Sequence, residues 1–219
     1  MKKIFIIITF LIAVNAYSQQ KETIVPQLAI KFNPVSLFDL RTTSFQAAFE
    51  YKIFPHISAQ VEGGYISSDL NGLQYTMLED FQSAVYQGYK LRAELRFYAS
   101  AELDQGYTFY MGPEFMKKHV IETTEVDVLR YNESFIQEMP KNEVSDIQAG
   151  HWKIGIQYYA KDHWFLFDMY VGTGIRYKKV RYDLPEDATI SDNMFRMFPS
   201  DNVYLPSMVI GFKLGARII

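Results

Sequence analysis

The amino-acid sequence predicts an all-β protein, an eight-stranded antiparallel transmembrane up-and-down β-barrel that follows an N-terminal signal peptide. Three observations carry this prediction. Apolar and polar residues alternate with a period of two in eight segments. The connections between these segments are alternately short and long, and glycine is concentrated on the polar face. Most segments are close to the roughly 9–11 residues that a tilted strand needs to cross a bilayer.

The composition excludes several classes of protein. The chain has 219 residues, 22 Lys and Arg against 25 Asp and Glu, a formal net charge of −3 and no cysteine. Without cysteine there is no disulfide framework, no Cys-ligated metal site, no thiol nucleophile and no acylated lipoprotein terminus. The charge balance gives no basic footprint for nucleic acid. At 48% hydrophobic residues the chain is too apolar to be disordered.

The N-terminus is expected to be a secretory signal peptide. A cationic start at Met1–Lys3 precedes an 11-residue apolar run, Ile4–Val14, and small residues follow at Ala16 and Ser18. The apolar run is too short to cross a bilayer as a helix. We therefore expect cleavage after Ser18, with residues 1–18 as the signal peptide and residues 19–219 as the barrel.

The alternating segments define the predicted strands. They are Gln27–Asn33, Ser44–Ile53, His56–Ile66, Gly88–Ala99, Tyr107–Phe115, His151–Ala160, Phe165–Tyr177 and Met208–Ile218. Gly88–Ala99 shows the pattern most clearly, because Tyr89, Leu91, Ala93, Leu95 and Phe97 alternate with charged residues. A helix would mix those charges with the apolar set. Each segment is therefore read as a strand with one polar and one apolar face.

The connections alternate in length along the chain. The short ones are Phe54–Pro55, Ser100–Gly106 and Lys161–Trp164; the long ones are Pro34–Thr43, Ser67–Gln87, Lys118–Gln148 and Lys178–Tyr204. Short turns at one end and long loops at the other are typical of a bacterial outer-membrane barrel. The last three long loops are acidic, and Tyr75–Tyr86 could form a short helix in the second one.

Glycine placement predicts which face points inward. The polar face carries Gly64, Gly88, Gly112, Gly155, Gly172, Gly174, Gly211 and Gly215, against Gly63 alone on the apolar face. An eight-stranded barrel is only wide enough for its own side chains, so small residues belong on the crowded inner face. A soluble lipocalin-like barrel would have the opposite orientation. Aromatic residues near strand ends, such as Tyr51, Tyr89, Trp152 and Trp164, suit interfacial girdles.

A network of charged side chains is therefore expected in the lumen. It comprises Lys31, Glu50, Lys52, Glu62, Lys90, Arg92, Glu94, Arg96, Glu114, Lys153, Asp168, Arg176, Lys213 and Arg217. Opposite charges in a narrow cavity should pair, because an unpaired buried charge costs several kcal/mol. Nine basic groups face five acidic ones, so the surplus would need water, tyrosine oxygens or an anion. The network is expected either to close the barrel or to line a gated path.

Two segments carry a resemblance to a known family. Phe32–Phe38 (FNPVSLF) and Ile210–Ile218 (IGFKLGARI) resemble segments of small, largely uncharacterised outer-membrane β-barrel proteins of Gram-negative bacteria. The architecture is similar to the eight-stranded barrels of the OmpA and OmpX type. This resemblance implies an outer-membrane location, among lipid and lipopolysaccharide. Lys213, Gly215 and Ile218 are similar to the C-terminal signal read by the barrel-assembly machinery, although a terminal aromatic residue is lacking.

Three functions are consistent with this sequence. We expect a non-enzymatic protein with a closed lumen, acting in envelope integrity, adhesion or an outer-membrane complex, with a protein partner at its acidic loops. The alternative is porin-like transport of small or apolar solutes. The third is a lipid A-modifying enzyme, for which the His56–Ser58 pair lies at the wrong end of the barrel. We expect no catalytic residues, no cofactor and no metal, because the four histidines are dispersed.

Overall fold

A computed structural model of the chain describes residues 28–38, 42–73, 85–99, 106–130, 135–160, 164–183, 189–190 and 202–218. The expected signal peptide, residues 1–18, lies outside the described residues. So does most of the segment Tyr75–Tyr86 for which a helix was expected; its last two residues, Val85 and Tyr86, begin a strand instead. Within the described part of the chain, no helix is long and apolar enough to cross a membrane.

One antiparallel sheet contains all the strands of the described residues. These are β1 (Leu28–Phe32), β2 (Ser44–Phe54), β3 (Ile57–Ser67), β4 (Val85–Tyr98), β5 (Tyr107–Arg130), β6 (Phe135–Tyr159), β7 (Phe165–Asp183), β8 (Thr189–Ile190) and β9 (Val203–Ile218). Short 3-10 turns occupy Pro34–Phe38 and Ser68–Leu73. The two-residue β8 pairs only with the far end of β5. The other eight strands correspond to the eight predicted from the alternation.

The eight long strands close into a barrel. Neighbours follow the order β4, β3, β2, β1, β9, β7, β6, β5, and β4 also pairs with β5. The first and last strands meet with Leu28 opposite Ile218, and β4 meets β5 with Tyr98 opposite Tyr110. The predicted fold class, an all-β up-and-down antiparallel barrel, is therefore confirmed. The tight turn Pro55–His56 joins β2 to β3 at one end.

The two faces of the strands are oriented as the glycine pattern predicts. Outward residues such as Phe49 and Ile154 are about half exposed, whereas inward residues such as Arg96 are fully buried. Inward glycines make room for neighbouring rings. A Cβ atom on Gly211 would lie 2.7 Å from the Tyr170 hydroxyl oxygen, so a side chain at this position would clash with the Tyr170 ring. The interior is filled by side chains, as the strand number requires.

The longest predicted loop is wrong. Lys118–Gln148 forms the outer part of the β5–β6 hairpin, paired from Lys118 opposite Ile147 up to Arg130 opposite Phe135. The hairpin extends beyond the apolar band, where water can contact both faces, so the alternation that marks a half-buried strand is lost there. What remains is a run of β-branched residues, which favours strand: Val120, Ile121, Thr123, Thr124, Val126 and Val128.

β1, the shortest of the eight barrel strands, is too short to pair with the full length of β9. β1 pairs with β9 only from Leu214 to Ile218. Among the described residues, no strand pairs with residues 203–213 of β9 on the side that faces β1, and the turn Pro34–Phe38 lies beside them. Tyr204, Met208 and Ile210 on this stretch are about three-quarters exposed, more than the large outward hydrophobic residues on the other strands.

Candidate functional site

The barrel interior gathers ten of the fourteen predicted lumen charges into a buried, charge-balanced set. Five are basic and five acidic: Lys31, Arg92, Arg96, Lys153 and Lys213, with Glu50, Glu62, Glu94, Glu114 and Asp168. The side chains of Lys31, Arg96, Lys153, Asp168 and Lys213 are completely shielded from solvent. Each of the ten lies within ion-pair distance of an opposite charge, which offsets the cost of removing it from water.

Asp168 on β7 connects three other strands. Its Oδ2 atom lies 2.7 Å from Lys31 Nζ on β1 and 2.7 Å from Arg96 Nη1 on β4. The Tyr110 hydroxyl on β5 donates a hydrogen bond to Oδ1 at 2.7 Å. The Arg96 guanidinium also lies over the Tyr110 ring, 4.1 Å from its centroid. One carboxylate therefore holds four strands together across the lumen.

Glu50 on β2 forms a second centre next to Asp168. It pairs with Lys31 and with Arg96, the latter at 3.3 Å. Ser58 donates a hydrogen bond to its Oε1 atom at 2.5 Å, and Gln157 Nε2 donates one to Oε2 at 2.9 Å. The Tyr98 hydroxyl donates to the same carboxylate. Neutral donors thus complete the coordination of a carboxylate that two cations already contact.

Further ion pairs extend from Arg96 towards the end of the lumen at which the long β5–β6 hairpin lies. Glu94 accepts hydrogen bonds from Arg96 Nε at 2.8 Å and from Lys153 Nζ at 2.7 Å. Lys153 also lies 2.9 Å from Glu114, and its ammonium group is 3.9 Å from the centroid of the Tyr170 ring. Lys153 therefore forms ion pairs with two carboxylates, Glu94 and Glu114.

The remaining ion pairs surround Glu62 on β3. Arg92 Nη1 lies 3.1 Å from Glu62 Oε1, and Lys213 Nζ lies 2.5 Å from Oε2. Both cations also contact Tyr170. Arg92 Nη1 donates a hydrogen bond to the Tyr170 hydroxyl at 3.4 Å, and Lys213 Nζ lies 5.1 Å from the centroid of the Tyr170 ring. Tyr170 thus contacts both cations of this cluster and also Lys153 of the neighbouring ion pairs.

The four remaining cations lie at the two mouths and not in the sealed interior, and this corrects the expectation of a buried surplus. Lys52 and Arg217, half-buried, lie at the short-turn end, over the Tyr98 and Tyr159 rings respectively. Lys90 is half-buried and Arg176 exposed, towards the long hairpin. Strand alternation fixes which face a residue occupies, but it does not say how deep in the lumen the residue lies. Charge balance could therefore not be read from it.

Sequence reasoning missed one hydrogen-bonded chain in the lumen. His151 Nδ1 lies 3.1 Å from Glu114 Oε1, and His151 Nε2 lies 2.9 Å from the Ser207 hydroxyl. The three residues lie on β6, β5 and β9 and are more than 30 positions apart, so no local motif marks them. Their order is that of a serine nucleophile, its base and an orienting acid.

The His56–Ser58 motif does not form such a pair. Ser58 is buried and donates its hydroxyl proton to Glu50, whereas His56 is exposed and its Nδ1 atom lies 3.1 Å from the Tyr98 carbonyl oxygen. No group of three or more His, Asp or Glu side chains is arranged to hold a metal ion within the described ranges.

No protein-family model and no curated protein matches the chain. Among solved structures, the chain is similar to the crystal structure of CarO from Acinetobacter baumannii, with 11% sequence identity and a TM-score of 0.41. The alignment covers 91% of this chain and 100% of the CarO chain.

Proposed function

We propose that the chain is an outer-membrane β-barrel protein whose lumen is closed by the buried charge network, and that it acts without catalysing a reaction. The observation that carries this proposal is the pairing of five buried cations with five buried anions across the barrel. A permeation path would need water along the lumen. Here the groups that could line such a path bind one another, and tyrosine rings fill the spaces between them.

The outward face supports the membrane location. Large apolar side chains such as Phe45, Ile154 and Ile175 are more than half exposed, and a soluble monomer rarely exposes so wide an apolar surface. Aromatic residues including Tyr65, Trp152 and Trp164 add exposed rings suited to headgroup level. With its lumen closed, the protein would act through the surfaces it exposes, in envelope integrity, adhesion or an outer-membrane complex.

Planar-bilayer recording tests the closed lumen. The purified protein is expected to insert without stable unitary conductance steps. A variant combining Arg96→Ser with Lys153→Ser removes two long side chains from the middle of the network and is expected to conduct, which demonstrates insertion. Gel mobility before and after boiling checks that both proteins are folded. Stable unitary steps from the unaltered barrel would overturn the proposal.

Lateral passage of apolar solutes is a second candidate function. It is favoured by residues 203–213 of β9, with which no strand of the described residues pairs on the side of β1, and beside which the turn Pro34–Phe38 lies. Proteoliposomes loaded with an apolar dye distinguish the two candidates. Faster dye exchange than in vesicles containing a different closed barrel would support lateral passage, and equal exchange rates would exclude it.

We interpret the Ser207–His151–Glu114 chain as structural. The His151 and Glu114 side chains are almost completely buried, and the second oxygen of Glu114 accepts a hydrogen bond from Lys153. This carboxylate therefore belongs to the ion-pair network as well as to the histidine. A hydrolytic role, as in a lipid-modifying barrel, would require Ser207 to react with an activated acyl or phosphonyl compound.

A further inference from the structure

The outward face of β5, β6 and β7 changes from apolar to basic over a short distance. Phe115 on β5 and Ile175 on β7 lie in the same row of the sheet and are more than half exposed. Going away from the short turns, the next outward residues of β5 and β7 include Lys117, Lys179 and Arg181, all exposed. We call these three residues, with His119, the basic patch.

The Asp146 carboxylate contacts two residues of the basic patch, His119 and Arg181. His119 Nδ1 lies 2.7 Å from Asp146 Oδ1, and Arg181 Nη2 lies 2.7 Å from Asp146 Oδ2. The Tyr89 ring stacks on His119 with centroids 5.4 Å apart. In the described part of the chain, Lys117 and Lys179 form no ion pair. Without counting His119, the patch has three cations, Lys117, Lys179 and Arg181, next to one carboxylate, Asp146.

The patch begins at the level of the headgroup region of a bilayer, with Lys117 one step beyond the apolar row. Successive outward residues of one strand are about 7 Å apart. Lys117 and Lys179 are therefore one and two steps beyond the apolar row of Phe115 and Ile175. The polar zone on each side of the hydrocarbon core is about 5–8 Å thick. Long lysine stems can lie along apolar surface while the ammonium groups stay at this level.

Among the described residues at these rows, the outward basic residues lie on one side of the barrel. At comparable rows on other strands the outward residues are neutral: Tyr65 on β3, Gln87 on β4 and Tyr204 on β9. Further out on the long hairpin the outward residues are also no longer basic, as Thr123 and Glu125 show. An evenly distributed surface charge would not produce a single basic patch just beyond the apolar row.

We propose that the basic patch binds the phosphate groups of anionic lipids in the leaflet that surrounds the long-hairpin end of the barrel. This inference rests on the proposed membrane location and adds a partner to it. Lysine acts as a point charge for phosphate, and the arginine held by Asp146 adds a planar donor group. The Asp146 carboxylate positions His119 and Arg181 and leaves both lysines available to the lipid.

The test compares two double variants that remove the same charge from the same two strands. Lys117→Gln with Lys179→Gln alters the patch. Lys118→Gln with Lys178→Gln alters the adjacent inward positions, where Lys118 donates to Thr42 and Lys178 lies 3.8 Å from Glu143. Each full-length protein is placed in phosphatidylcholine nanodiscs doped with phosphatidylglycerol, and native mass spectrometry counts both lipids retained on the folded protein.

The unaltered protein and the inward variant are expected to retain phosphatidylglycerol preferentially. The outward variant is expected to lose this preference by roughly ten- to thirty-fold, the effect of two interfacial cations. Equal losses in the two double variants, or no loss in either, would overturn the lipid site while leaving the barrel proposal intact. Failure of every protein to insert into nanodiscs would instead overturn the membrane location and this inference with it.

Discussion

Arg96 Nη1 lies 2.7 Å from Asp168 Oδ2, and this ion pair joins β4 to β7 inside the barrel. Both side chains are completely buried, and each contacts further members of the network. Strands that are not neighbours in the sheet are thereby connected through the lumen. The interior performs the role that an apolar core performs in a soluble barrel, with charges in place of hydrocarbon.

The substitution Asp168→Asn should destabilise the fold strongly. It keeps the size of the side chain but leaves Lys31 and Arg96 with less compensation for their buried charge. Breaking a buried pair in this way costs about 3–5 kcal/mol. The measurement is the free energy of unfolding in urea with the protein in lipid vesicles. Arg176→Gln, at an exposed position near the mouth, is the control and should change that free energy by less than about 0.5 kcal/mol.

The substitution Gly155→Ala should also destabilise the fold. A Cβ atom there would lie 2.5 Å from the Tyr110 hydroxyl oxygen and 2.6 Å from the Met169 carbonyl oxygen. Overpacking of this kind costs about 1–3 kcal/mol. Gly63→Ala, on the outward face with its nearest neighbour Leu91 4.0 Å away, is the matched control. Equal effects of the two substitutions on unfolding free energy would show that the lumen is not close-packed at Gly155.

The substitution Ile154→Arg should impair folding into vesicles. Ile154 lies on the outward face in the apolar band, where an arginine near the bilayer midplane costs about 2–4 kcal/mol. Gln148→Arg places the same residue on the same face of β6 beyond the band and should have a much smaller effect. Folded fractions measured by gel mobility without boiling would show the difference. If Ile154→Arg is tolerated as well as Gln148→Arg, the apolar band does not contact lipid.

Lowering the pH should remove the contribution that the charged Asp146 makes to the stability of the folded protein. The hydrogen bond from His119, assisted by Arg181, holds the pKa of Asp146 below its ordinary value of 3.8. Because this pKa is lower in the folded state, the contribution to stability is present above about pH 4 and is lost as the pH falls through the lowered value. The difference in unfolding free energy between the unaltered protein and Asp146→Asn should therefore shrink below about pH 4. A difference that stays constant down to about pH 2 would contradict this prediction.

Ser207 should not react with a fluorophosphonate probe. The proposal of a non-enzymatic barrel treats its hydrogen bond to His151 as structural. Intact-protein mass spectrometry after incubation in detergent micelles is expected to show no adduct. An adduct that disappears in both Ser207→Ala and His151→Gln would show an activated serine and would replace the structural interpretation with a hydrolytic one.

The fold could be predicted because two of its causes are local. Alternation along β4 fixes which side chains share a face, and glycines such as Gly155 and Gly211 mark the crowded side. Both signals can be recognised within short segments of the sequence. The outer half of the β5–β6 hairpin was missed because its strands lie outside the apolar band, where polar side chains on both faces remove the alternation.

The candidate site could be predicted only as a set of inward charges. Which charges are buried depends on how far along the barrel axis each residue lies, and hence on strand register. Lys52 and Glu50 share a face of β2, yet Glu50 lies in the sealed network and Lys52 at the mouth. The Ser207–His151 contact depends on registers that span three strands, and no spacing in the sequence reports it.

The orientation of the two faces is most directly tested by the chain's two tryptophans. Trp152 and Trp164 are both more than half exposed on the outer face. In vesicles whose acyl chains carry bromine, the account predicts strong quenching of the fluorescence of both, with Trp164→Phe used to isolate the signal of Trp152. Unquenched fluorescence from a protein that stays monomeric in buffer without detergent would contradict the account, because the apolar face would then not contact lipid.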